Sequence, residues 1–434
     1  MKKVFTVVLF LLGTIFFVGC QKSEQESKEI VELVIPSYKT GQNVGAKFFK
    51  PQVERFNEKY AGIYKITLES VPEASFKDRL KQLAQQGKLP VLVQGGDFDW
   101  FKNVVIPNGL AYDLSSWLET TPQVKDILLE DGIKYCTEST GEIFSLPLFY
   151  IRPIGFFYNQ TMYTPSGDIS SMSMDQWLED ISNQKIALST AENGWTTALF
   201  LTALIANEAG GVEFLQSGVN EKITDFNHPA FISAVEKLQT LLMNNASPNS
   251  IGGGYPVVAN DFMSKQASII SNGSWMSIDF SDGNSKNWSN GFNGADVRAS
   301  LYPGNIGIAN AATYGEWWIS ADASAEEISA ATAFLEFINS PEEIEAYLLS
   351  EGGTAPKVTY SETFKTEYWK TTVFGDLAED TTEGTIFVPA ILDVMPASVA
   401  NIEFGKLLPS LADGSYSPKE FCEWLTQKAI EAVN

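Results

Sequence analysis

The feature that most constrains the fold is a repeated change of hydrophobic period near the start of the chain. Ile30 to Ile35 is a compact, β-branched run, followed by a loop from Pro36 to Gly45. Phe49, Val53, Phe56 and Tyr60 then recur at spacings of four, three and four, which is one face of a helix. Pro51 is expected in the first turn of that helix, where a missing N–H is tolerated. Tyr64, Ile66 and Leu68 alternate with Lys65, Thr67 and Glu69, the period of a half-buried strand. Phe76, Leu80 and Leu83 mark a second helix, and Leu89 to Gln94 a further strand. This β-α-β-α-β succession predicts an α/β fold, with a mainly parallel sheet and helices on its faces.

Later helices announce their starts. Ser324-Ala-Glu-Glu327, Ser340-Pro-Glu-Glu343 and Ser417-Pro-Lys-Glu420 each set Ser at an N-cap with Glu three residues on. Phe231, Val235, Leu238 and Leu242 form another stripe, opened by Asn227-His228-Pro229. Ile251 to Tyr255 and Ser281 to Asn293 read as loops, and there is no internal repeat. A chain of this length exceeds one comfortable core, so two lobes are expected.

At the N-terminus, Lys2 and Lys3 precede an apolar run from Val4 to Val18, and Gly19-Cys20 closes the segment. This is the pattern of a secretory signal peptide, shorter than the roughly 20 residues of a spanning helix. With Cys20 next to Gly19 the segment resembles a bacterial lipobox, which implies acylation of Cys20 and anchoring to the membrane. Gln21 to Glu29 is polar and reads as a flexible linker.

Removing residues 1–19 takes two of the 30 basic residues and leaves 28 against 53 acidic, a formal charge of −25. Such a surface repels nucleic acid, whose binding rests on Lys and Arg. Cys136 and Cys422 lie in helix-like patterns far apart in sequence and are expected as buried free thiols. The single histidine, His228, stands at a helix start, which argues for capping and against catalysis. One histidine excludes the H-E-x-x-H pattern, and no phosphate-binding Walker A loop is present. No metal or cofactor is implied.

From about Ile30 onward several stretches resemble the family 1 extracellular solute-binding proteins, the maltose-binding-protein type. They are Gln82-Leu-Ala-Gln-Gln-Gly-Lys-Leu-Pro90, Gly109-Leu-Ala-Tyr-Asp-Leu114, Gly141-Glu-Ile-Phe-Ser-Leu-Pro147 with Gly155-Phe-Phe-Tyr-Asn159, and Phe262-Met-Ser-Lys-Gln-Ala-Ser-Ile-Ile-Ser-Asn-Gly-Ser-Trp275. Tyr314-Gly-Glu-Trp-Trp318 stands where the family usually has a Gly-Gly pair. The resemblance implies two α/β lobes with a ligand cleft between them. One would comprise 30–150 and 311–354, the other 151–310 and 355–434. The crossovers would fall near Leu148–Gly155, Asn310–Trp318 and Gly352–Lys357.

Aromatic residues make up 12% of the chain, including 10 Trp, and a sugar needs a flat ring with polar groups for its hydroxyls. By resemblance Trp275 and Trp195 are candidate stacking residues in the second lobe, and Trp317 and Trp318 flank a crossover. Asp97 and Phe98 fall where the family holds hydroxyls. Tyr38 follows the first strand, and Arg152 sits in the first crossover as a ligand or hinge residue. Trp100, Trp117 and Trp177 are expected in the core. The implied function is capture of a carbohydrate by a monomer that delivers it to ABC permease subunits. A polyamine-binding protein and an extracellular carbohydrate-active enzyme are the alternatives.

Overall fold

The computed structural model describes residues 30–433, apart from 42, 44, 96 and 311. The signal segment and Cys20 lie outside the described residues. The strands, in chain order, are β1 (Val31–Ser37), β2 (Tyr64–Ser70), β3 (Leu92–Gln94), β4 (Gly155–Asn159), β5 (Ile186–Ala187), β6 (Ile269–Asn272), β7 (Val297–Ser300), β8 (Ile306–Ile308), β9 (Trp317–Ile319) and β10 (Ile386–Val388).

β1 and β2 pair in parallel, Val31 with Tyr64 through Ser37 with Ser70, and β1 also packs beside β3. β3 pairs antiparallel with β9, Leu92 opposite Ile319 and Gln94 opposite Trp317. A four-stranded sheet has the order β5-β6-β4-β7, parallel between β5 and β6 and antiparallel elsewhere. The sheets are therefore mixed, where the opening residues suggested a mainly parallel arrangement. β4 and β9 each follow a segment that passes between the two main cores, and both run against the strands they join.

The cores are distinct. One gathers buried residues from Leu33 to Leu146 and from Tyr314 to Ile338. A second draws on residues from Phe156 to Ile308 and from Val388 to Ala429. The four-stranded sheet is buried on both faces, because side chains alternate along each strand. Phe156, Ile186 and Ile269 enter that second core, while Phe157, Ala187 and Ile270 enter a third on the opposite face. Helices Trp195–Ala206 and Pro229–Asn244 cover the first face; Tyr255–Met263 and Thr372–Asp380 cover the other. Cys136 is buried in the Leu33 core and Cys422 in the Phe156 core, both as free thiols.

Local signals explain most helix boundaries. Ser324 and Glu327 form the expected capping box at Ala325–Ile338. Ser417 and Glu420 do the same before Pro418–Val433. His228 caps Pro229–Asn244 through Nδ1, which accepts from the Ala230 N–H at 3.3 Å, and its ring stacks on Phe214. Two expectations fail. Helix Ala46–Lys59 starts early enough that Pro51 is its sixth residue, so one helical hydrogen bond is forgone. Ser340 makes no side-chain cap, because Glu343 turns away to Arg55.

Arg55 Nε and Nη2 donate to the two Glu343 oxygens at 2.6 and 2.7 Å, and Gln52 Nε2 donates at 3.2 Å. Only 6% of the Glu343 side chain is exposed, so its charge depends on these donors. Arg55→Met should lower stability by about 2 kcal/mol, the usual loss for hydrogen bonds to a charged group. Urea unfolding should show part of that loss recovered in the Arg55→Met, Glu343→Gln double variant, where no buried charge is stranded.

Candidate functional site

The strands carry their following loops to one region. Tyr38 and Lys39 come after β1, Glu73 after β2, Asp97 after β3, Trp195 after β5, and Trp275 after β6. Ligands of α/β sheets bind outside the carboxyl ends of the strands. Groups from the two main cores meet here. Lys47 Nζ lies 2.9 Å from Asp279 Oδ1, and Lys222 Nζ lies 3.4 Å from Asp99 Oδ1. Lys77 Nζ donates to Asn401 Oδ1 at 3.5 Å.

On the side of the four-stranded sheet, three aromatic rings gather. Trp195 opens its helix after Gly194, which has φ +59°, and its ring centroid is 4.8 Å from Tyr255 and 6.3 Å from Trp275. All three are partly exposed. The Tyr255 hydroxyl accepts from Asn272 Nδ2 at 3.1 Å, and burial with Asp279 nearby raises its phenol well above the ordinary value.

On the other side a polar chain runs along the ends of β1 and β3. Ser37 Oγ donates to Gln94 Oε1 at 3.2 Å, Gln94 Nε2 to Glu316 Oε2 at 3.4 Å, and Lys39 Nζ to the same Glu316 oxygen at 3.0 Å. Burial would raise the Glu316 carboxyl, but Lys39 and Arg152 outweigh it and hold Glu316 below the usual carboxylate value.

Arg152 stands between the two sides. Its guanidinium carbon is 5.2 Å from the Tyr150 and Trp275 ring centroids and 5.7 Å from that of Tyr347. Nη1 donates to Glu351 Oε2 at 3.1 Å. Burial opposes its charge, yet Tyr347, Tyr150, Glu351 and Glu316 keep its pKa above the ordinary arginine value. Glu351 is pushed up by burial despite Arg152 and Lys39. The chain crosses next to it: Ile151 bridges Thr354, and Ile154 bridges Ile308. Gly353 has φ +102°, and a Cβ there would lie 2.6 Å from Arg152 Cγ and 2.8 Å from the Ile151 carbonyl oxygen. Only glycine meets both demands.

A family model of bacterial extracellular solute-binding proteins matches residues 52–371. The chain belongs to this family. Solved structures agree with that fold along nearly the whole chain. A chitin oligosaccharide binding protein superposes with a TM-score of 0.72 at 17% identity, covering 93% of this chain and 99% of its own. A Streptococcus pneumoniae solute-binding protein in complex with the blood group A-trisaccharide gives 0.67 at 15%, covering 92% and 99%. An ABC transporter solute-binding protein from Agrobacterium radiobacter K84 in complex with ribitol gives 0.68 at 14%, covering 92% and 98%. No curated protein matches by sequence. These likenesses give the solute-binding protein its two-lobed α/β fold.

Of the residues singled out from sequence, the structure brings together Trp195, Trp275 and Arg152. Trp317 and Trp318 are neighbours on β9 and so face opposite ways. Trp317 packs on Phe49 and Phe334 and lines a pocket beside Glu316, whereas Trp318 is 2% exposed against Phe101 and offers no free face. Tyr38 lies edge-on to Phe76, partly buried. Trp177 is in the Phe156 core, as expected, but Trp100 and Trp117 are half-buried at the edge of the Leu33 core. Tyr255, Lys39, Glu316, Tyr150, Tyr347 and Glu351 were not singled out. Tyr255-Pro256 ahead of Val258 and Phe262 carried a helix-start signal, hidden behind the glycines at 252–254.

Asp97 is 7% exposed and fully engaged within its own half. Its Oδ1 accepts from the Trp100 N–H at 3.1 Å, capping residues 98–100, and Oδ2 pairs with Lys81 at 2.8 Å. Its neighbour Phe98 is 40% exposed. Burial would raise the Asp97 carboxyl, but Lys81 and the Trp100 N–H bring it below the usual value. The stabilisation is therefore present above the unfolded carboxylate pKa and is lost as pH falls through the folded one. Asp97→Ala should cost about 1 kcal/mol at neutral pH, typical of a lost N-cap. In urea melts the gap from the native chain should close under strongly acidic conditions.

Proposed function

We propose that this solute-binding protein captures a sugar or oligosaccharide between its lobes and delivers it to the membrane subunits of an ABC importer. The observation that carries the reading is the cluster of Trp195, Tyr255 and Trp275 opposite the hydrogen-bonding row of Lys39, Glu316 and Gln94. Rings take the apolar C–H face of a sugar, and the row fixes its hydroxyls. The sugar and sugar-alcohol ligands named for the similar structures support the same class.

The two main cores support lobes formed by 30–150 with 311–354 and by 151–310 with 355–434, with Ala355 and Phe364 packing back on Ile344 and Leu348 of the first. Closure is then driven by a ligand that touches both lobes and so favours the closed state. Acylation of Cys20 would tether the chain outside the cytoplasm, with Gln21 to Glu29 as its leash. The protein acts as a monomer without a cofactor and turns nothing over. Its acidity is unsuited to nucleic acid.

Tryptophan fluorescence and thermal melting against a panel of sugars test the reading. A sugar should shift the emission and raise the melting temperature, because a ligand that binds only the native state stabilises it by mass action. Trp275→Ala should weaken that sugar by about 30-fold, matching roughly 2 kcal/mol for one buried aromatic contact. A response to polyamines alone would retain the importer and discard the sugar. Glu73 is the residue to examine in that case, since its carboxyl is held above the usual value by burial and by Glu192 from the facing lobe.

A further inference from the structure

Behind the polar row lies a pocket of about 80 Å³ in the first lobe. Phe48, Phe49, Leu148 and Ile338 are among its apolar lining, while Lys39, Gln52, Gln94, Glu316 and Asn339 supply polar groups. Tyr150, Tyr347 and Glu351 also line it, and these are the three first-lobe groups that hold Arg152. Arg152 in turn lies over Trp275. Arg152 thus links the pocket's lining to the aromatic cluster.

The lining is wrong for a bare sugar ring. About 80 Å³ is too little for a ring, and hydroxyls set against Phe48, Phe49, Leu148 and Ile338 would go unpaired at a cost. A free ammonium would meet Lys39, which already holds the Glu316 carboxylate. One unmet need is specific: Asn339 is 4% exposed and its Nδ2 donates to the Leu335 carbonyl, but its Oδ1 has no partner among the described residues. An occupant should bring a small apolar end, a hydrogen-bond donor for an acceptor such as Asn339 or Glu316, and an acceptor for the Lys39 or Gln94 donors. The size fits four heavy atoms, being about half of the roughly 150 Å³ that admits benzene.

We infer that this pocket is an inner subsite for the N-acyl group of an acylated amino sugar. The methyl end enters among Phe48, Phe49 and Ile338, the amide N–H is accepted by the carboxylate or amide oxygen, and the amide carbonyl accepts from Lys39 or Gln94. The sugar ring is then left on the aromatic side of Arg152. The inference rests on the sugar-capture reading and narrows its ligand.

The test is titration of the full chain with matched sugars, followed by tryptophan fluorescence. N-acetylglucosamine is set against glucose and glucosamine, N-acetylgalactosamine against galactose, together with the corresponding disaccharides. At least one N-acetylated sugar should bind roughly 30-fold tighter than its unacylated partner, the sum of a buried methyl and one good hydrogen bond. Ile338→Phe, which fills the apolar end, should reduce that ratio to about threefold. Because both sugars are read on one sample, partial misfolding does not alter the ratio, and a thermal melt checks that the variant is folded.

Equal binding of acylated and unacylated sugars overturns the subsite and leaves sugar capture standing. A preference for glucosamine, or a full N-acyl preference in folded Ile338→Phe, also overturns it. Binding of a polyamine with no response to any sugar overturns both readings.

Discussion

The structure depends on keeping one guanidinium charged in a largely desolvated place. A buried charge is tolerated only when it is paired and its donors are used. Arg152 is paired through Nη1 with Glu351 on one side and has the faces of Tyr150, Tyr347 and Trp275 around it. Arginine suits the position because its flat, weakly hydrated cation stacks on rings while it hydrogen-bonds at its edge. Lysine offers no such plane. The backbone of Arg152 lies in a crossover, Tyr150 and Tyr347 pack on Ile344 and Leu348, and Trp275 follows a strand of the four-stranded sheet. Whatever displaces Trp275 therefore acts on the crossover as well.

Much of the fold was legible where the physics is local. The Ser324 and Ser417 boxes, the stripe Phe231 to Leu242 and the capping role of His228 each depend on residues within a turn or two. Ser340-Pro-Glu-Glu343 spells the same box and does not form it. Glu343 has a better offer from Arg55, almost 300 positions earlier, and no local pattern reports that partner. Strand direction was illegible for the same reason. β4 and β9 pair antiparallel because of how the chain returns to each sheet, which depends on the crossovers and not on the strands' own residues.

The site divides along similar lines. Trp195 and Trp275 came together because both stand at the ends of segments that start helical turns after strands, where side chains project past the sheet. Trp317 and Trp318 looked equivalent in sequence, but adjacent strand residues face opposite layers, and only one side borders the pocket. Lys39, Glu316 and Glu351 carried no signal of their own in a chain with 53 acidic residues. Their role comes from being brought together beside a buried arginine.

The two thiols have a use beyond packing. Burial raises Cys136 to about 11 and Cys422 to about 12, so neither is appreciably the reactive thiolate at neutral pH. Each is sealed in a different core. A thiol reagent must then wait for the surrounding core to open before it can react. Because the pair is divided between the cores, alkylation rates would time the breathing of each half separately. The chain thus carries two internal clocks for local unfolding, with no label added.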